Sequence, residues 1–180
     1  MLAYVFWHWP DPAVNEFEYE ERLRAFHRAL AEHPSAGFGG SASFGIPSAP
    51  WLAAERGYED WYRVADFASL GILNEAAVSG ARQEPHDQSA RLAAGGIAGV
   101  YKLIRGGDSF PEAAFAAWLQ KPRNLTYAEF YDQLAPWTDR PRTALWQRQM
   151  TLGPATEFCL HSPIEPAGLG TILRLRPVFI

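Results

Sequence analysis

Five histidines, with the carboxylates and arginines around them, carry the chemistry open to this 180-residue chain. His8 stands near the end of MLAYVFWHW, where large apolar residues fill both alternating faces. Two apolar faces mark a central strand covered on both sides. An antiparallel neighbour with the sequence YEDWYRV would bring Glu59 and Asp60 to the His8 end, and an imidazole held by a carboxylate is a general base. The competing reading is a core-edge histidine satisfied by a backbone carbonyl. His161 alternates with Glu157 and Cys159, and neighbouring segments offer Arg148 or Gln149 and Arg174. Gathered on one face, these would bind a carboxylate or enolate and shuttle a proton. Otherwise they are the wet side of an antiparallel sheet. His27 follows Phe26 on a helix and is expected to be half exposed, while His33 and His86 sit beside prolines and read as turn or cap residues.

The candidate catalytic set is therefore His8, His161, Glu157 and Asp60. The candidate substrate-binding set is Trp7, Trp61, Tyr62, Arg63, Trp146 and Arg148, with the arginines holding a substrate anion and the aromatics excluding water. Those aromatics, with Trp9 and Tyr101, are either core or the lining of a pocket for a flat apolar ligand.

Several classes of chemistry have no support. The chain has no GxxxxGK[ST] loop, no strand-adjacent GxGxxG, no GxSxG elbow and no HExxH, which counts against nucleotide hydrolases, common dehydrogenases, serine esterases and zinc hydrolases. No metal site and no cofactor are expected. Cys159 is the only cysteine, so it reads as a buried small hydrophobe rather than a disulfide or cluster ligand. A net charge of −4 argues against nucleic-acid binding. MLAYVFWHWP lacks a basic leader region, and the longest uncharged run, residues 37–54, is too rich in Gly, Ser and Pro for a membrane helix. The expectation is a cytoplasmic protein with no membrane partner.

The elements that must position these residues follow from hydrophobic rhythm. After the first strand, Asp11-Pro12 suggests an N-cap with proline in the first turn. The helix it opens runs to about Glu32 and buries Val14, Phe17, Leu23, Phe26 and Leu30. GFGGSASFGI reads as a second strand. YEDWYRVA alternates with period two until Asp66, after which Phe67, Leu70, Leu73, Ala77 and Val78 recur at helix spacing, with Gly80 as a C-terminal cap. A short helical piece in EPHDQSARLAA and a fourth strand, GIAGVYKLIRGG, complete a strand–helix–strand–strand–helix–strand series. That series is the ferredoxin-like split βαβ pattern, with the first strand between the third and the fourth.

The remainder reads as a worn copy. VYKL at residues 100–103 matches AYVF at residues 3–6, then FPEAAFAAWLQ and TYAEFYDQLAPW read as two short helices, followed by a hairpin at Gly153-Pro154 and a last strand, GTILRLRPVFI. The expected organisation is residues 1–107 as one ferredoxin-like repeat (βαββαβ) and 108–180 as a second, incomplete one (ααβββ). A sheet with helices on one face leaves its other, aromatic face bare, so a second sheet must cover it, from the same chain or from a second copy.

At this point the chain resembles the dimeric α/β-barrel superfamily, in which antibiotic-biosynthesis monooxygenases and EthD-like proteins fall. The resemblance rests on MLAYVFWHW, YEERLRAFHRAL and YEDWYRVADFASLGILNEAAV, with WLQKPRNLTYAEFYDQLAPW similar to an EthD-type first helix. It implies an α+β fold, a homodimer, and a pocket between sheet and helices or inside the barrel. Relatives use such pockets for cofactor-free oxygenation, isomerisation or haem chemistry, or for no catalysis. The functional expectation is a protein binding a small apolar or aromatic molecule, as a cofactor-independent oxygenase or isomerase. The alternative is a non-catalytic binding or structural module.

Overall fold

A computed structural model describes residues 1–107 and 110–180, without the side chain of Pro111. Its elements are β1 (Leu2–Pro10), α1 (Glu16–Glu32), β2 (Phe38–Pro47), β3 (Arg56–Val64), α2 (Phe67–Ala77), α3 (Gln83–Ala90), β4 (Ala93–Gly106), β5 (Phe115–Leu119), α4 (Tyr127–Thr138), β6 (Ala144–Arg148), β7 (Phe158–Ser162), β8 (Thr171–Arg174) and β9 (Arg176–Phe179). The boundary expected between residues 107 and 108 falls at the edge of the described residues.

All nine strands share one sheet in the order β8-β5-β7-β6-β4-β1-β3-β2-β9. β1 lies antiparallel between β3 and β4, as its two apolar faces require. The ends of this sheet meet through covalent continuity. β8 pairs with β5 at one edge, β9 pairs with β2 at the other, and only Leu175 separates β8 from β9. One terminal strand therefore bridges both edges, and the sheet curls into a nearly closed barrel within a single chain. The aromatic face is covered by the chain's own second half.

That face forms the barrel interior. Trp7, Trp61, Trp118 and Trp146 are each at most 1% exposed and pack with Tyr101, Phe44 and Phe110. A buried tryptophan removes about 150–250 Å² from water, worth roughly 5 kcal/mol as an upper estimate. The outer face is apolar under each set of helices. Phe26 and Leu30 of α1 and Leu73 of α2 pack on Leu2, Tyr62 and Val100, while Phe130 and Leu134 of α4 pack on Leu145, Phe158 and Leu160.

Three expectations about elements are corrected. FPEAAFAAWLQ contains a strand, β5, where a helix was expected. Alanines suit a helix by propensity, but here Ala116 and Trp118 face the barrel while Ala117 and Leu119 face α4, so burial on both faces hides the two-residue period. The first helix is capped by Asn15, whose side chain accepts from Phe17 N, whereas Asp11 closes a turn by accepting from Ala13 N. Phe17 points outward, 71% exposed, while Tyr19, Leu23, Phe26, His27 and Leu30 lie inside. Asp66 caps α2, accepting from Ser69 N. No helix among the described residues is long and apolar enough to cross a membrane.

Candidate functional site

β1 and β3 pair with Phe6 opposite Asp60 and His8 opposite Tyr58, which sets His8 and Asp60 diagonally on one face. That face lies under α1. α1 delivers Tyr19 and His27 onto it, and Ser41 on β2 completes the set.

The result is a buried polar cluster centred on Asp60. His8 Nε2 and His27 Nε2 both lie 3.1 Å from Asp60 Oδ2, and the Tyr62 hydroxyl donates to the same oxygen at 2.9 Å. The far ring nitrogens are also engaged, His8 Nδ1 with the Tyr19 hydroxyl at 2.6 Å and His27 Nδ1 with Ser41 Oγ at 2.7 Å. His8, His27 and Asp60 are at most 1% exposed. Burial alone would raise the Asp60 pKa, but the facing imidazoles of His8 and His27 hold it well below the usual carboxylate range. Asp60 is thus a fixed anion. Burial, reinforced by Asp60, pushes the Tyr19 and Tyr62 phenols upward, so both stay neutral donors. Aromatic rings fix the imidazoles: His8 stacks between Phe6 and Tyr58, His27 between Tyr62 and Phe179.

This cluster floors a partly open cleft of about 860 Å³ between the sheet and α1–α3. Its walls include Tyr4, Phe6, Phe26, Leu70, Leu73 and Val100, and His8, Tyr19, Asp60 and Tyr62 supply polar groups at the floor. Such a volume, mostly apolar with a few convergent polar groups, is that of a small-molecule site. His86 lines the outer part, its Nδ1 3.0 Å from Asp87 Oδ1.

A second buried acid lies in the barrel. Glu59, on the opposite face of β3, accepts from the indole N–H groups of Trp7 and Trp61, at 2.7 Å each. Burial pushes its carboxyl up to about 7. His161 packs edge-on against Trp61 at 4.5 Å, and burial lowers its imidazole to about 3. Cys159 is buried there as expected, with its thiol held protonated by burial.

Of the ten residues singled out by sequence, His8, Asp60 and Tyr62 meet at the cleft. Trp7, Trp61 and Trp146 fill the barrel core and do not line the cleft. The cluster imagined around His161 does not form. Glu157 instead accepts from Gln120, Tyr127 and Gln147 beside α4, and Arg148 donates to the carbonyls of Gly153 and Ala155. Arg63 lies over the Phe110 ring at 4.9 Å, and Arg174 is exposed. Sequence reasoning missed Tyr19, His27 and Ser41 and expected His27 to be half exposed. The signal was present: residues 19, 23, 27 and 30 recur at helix spacing.

Among the described residues no group of three or more His, Cys, Asp or Glu is arranged to hold a metal ion. Each histidine of the cluster has Nδ1 hydrogen-bonded and Nε2 3.1 Å from Asp60 Oδ2.

No family model matches the chain, and no curated protein matches it. Among solved structures it is similar to a candidate chlorite dismutase, at 11% identity over 98% of this chain and 95% of the other, with a TM-score of 0.51. It is also similar to an anthrone oxidase-like protein, at 8% identity over 97% of this chain and 72% of the other, with a TM-score of 0.47. At 11% identity the first likeness speaks for the fold alone, an α+β fold with an antiparallel, nearly closed barrel-like sheet.

Proposed function

We propose that the cleft binds a flat, apolar molecule and that the His8–Asp60 pair, acting through the Tyr19 hydroxyl, moves a proton on it without a cofactor. Proton removal from carbon is the first step of cofactor-independent isomerases and oxygenases alike. The observation that carries this reading is Tyr19 hydrogen-bonded to an imidazole whose other nitrogen faces a fixed carboxylate, at the floor of an aromatic cleft. Because burial and Asp60 disfavour a Tyr19 phenolate, the hydroxyl accepts the substrate proton as it passes its own to His8 Nδ1. Asp60 stabilises the imidazolium so formed, and return of the proton to a different carbon would complete an isomerisation.

The test uses 2-tetralone, a flat ketone with acidic C–H groups, and follows deuterium incorporation from D2O by NMR. Exchange faster than in buffer, reduced to the buffer rate in Tyr19→Phe and His8→Gln, supports the reading. Wild-type protein that binds the ketone and leaves exchange at the buffer rate contradicts it. That outcome would favour the second reading, a non-catalytic module in which the cluster only fastens α1 to the sheet. The near-complete burial of His8, His27 and Asp60 favours that reading.

A further inference from the structure

The charges around the cleft are one-sided. Asp60 at the floor and Glu75 at the mouth line it, and no lysine or arginine among the described residues does. The cations expected to hold a substrate anion lie elsewhere: Arg63 over Phe110, Arg148 against the carbonyls of Gly153 and Ala155. Arg82, between α2 and α3, donates to the carbonyls of Ala76 and His33. The amino end of α2 reaches the cleft at Phe67, but the Asp66 carboxylate already occupies it, accepting from Ser69 N and Oγ at 2.8 Å each. The partial positive charge of that helix end is therefore met before a ligand arrives. The other titratable groups of the lining are His8, His86 and three tyrosines, Tyr4, Tyr19 and Tyr62, which burial keeps neutral.

We infer that the cleft selects neutral or cationic flat ligands and rejects carboxylates and other anions. An anion entering would give up hydration and meet Glu75 at the mouth, with no lysine or arginine among the lining residues to pair it. An ammonium gains the Glu75 carboxylate and the faces of Tyr4, Phe6 and Phe26. A neutral substrate also suits the proposed chemistry, since the imidazolium formed on His8 balances the enolate formed with it. This inference rests on the cleft being the ligand site, and its test separates the two.

Three ligands of one shape are titrated into the full chain by isothermal calorimetry: 2-naphthol, 2-naphthylmethylammonium and 2-naphthoate. The naphthol and the ammonium are expected to bind at least tenfold more tightly than the naphthoate, and more so at low ionic strength for the charged pair. Glu75→Lys, an exposed change at the mouth, should narrow the gap by admitting naphthoate. Naphthoate binding as tightly as naphthol overturns the selectivity and leaves the cleft standing as the site. Absence of binding by all three overturns the cleft as the site and the selectivity with it.

Discussion

Glu59 and His161 both touch Trp61 inside the barrel, and their opposed titrations make a measurable signature. Glu59 has its carboxyl raised from 4.5 to about 7 by burial. A group whose folded pKa exceeds its unfolded one stabilises fully below pH 4.5 and loses that contribution as pH rises through about 7. His161 has its imidazole lowered from 6.5 to about 3 by burial. It is a neutral base in the fold, so its contribution is complete above pH 6.5 and is lost as pH falls through about 3. Between pH 4.5 and 6.5 the two slopes oppose each other. Each amounts to about 1.4 kcal/mol per pH unit, or roughly 3 kcal/mol across the window. Asp60, whose pKa is depressed, acts only below 3.8 and leaves the window untouched. The wild-type chain should therefore show nearly constant stability from pH 4.5 to 6.5. Glu59→Gln should lose roughly 3 kcal/mol on acidification across that interval, on top of a uniform cost of about 1–3 kcal/mol for one mispaired indole. His161→Gln should show the reverse slope, weakening as pH rises. Urea denaturation at half-unit pH steps measures all three. A Glu59→Gln curve running parallel to the wild type would refute the linkage.

Two further substitutions test the packing. Asp60→Asn keeps the side-chain shape but removes the charge facing His8 and His27, and should cost about 3–5 kcal/mol in urea denaturation. A cost under about 1 kcal/mol would show that the cluster is held without a buried anion. Gly57→Ala places a Cβ 2.8 Å from His8 O, where β1 and β3 pair. It should cost about 1–3 kcal/mol by wedging those strands apart, and an unchanged midpoint would show that they yield freely.

The first half of the chain was legible because its elements change rhythm at clear punctuation. MLAYVFWHW is apolar on both faces and sits mid-sheet, YEDWYRV alternates, and Asp66 caps the switch to α2. The second half was less so because its signals are ambiguous rather than weak. In β5 both faces are buried, so alanines at helix-like spacing outvoted a concealed alternation. The loop at residues 163–170 stands where a second helix was absent, and the terminal strand splits between two edges in a way no local pattern reveals. The site divided along the same line. Register and antiparallel order brought His8 to Asp60, but a two-faced apolar strand does not say which face lies under helices. The pattern alone therefore does not separate Trp7 and Trp61, which fill the barrel core, from the lining of the cleft. His27 escapes notice because a buried face drawn through Val14 and Phe17 leaves out Tyr19 and His27, which the helix puts inside.

The most direct measurement is a crystal structure of the chain soaked with 2-naphthol. The ligand is expected between the sheet and α1–α3, against Phe6 and Tyr62, with its hydroxyl at Tyr19. Density inside the barrel against Trp61 and Trp146, or an empty cleft with the ligand on the outer surface, would contradict the assignment of the site.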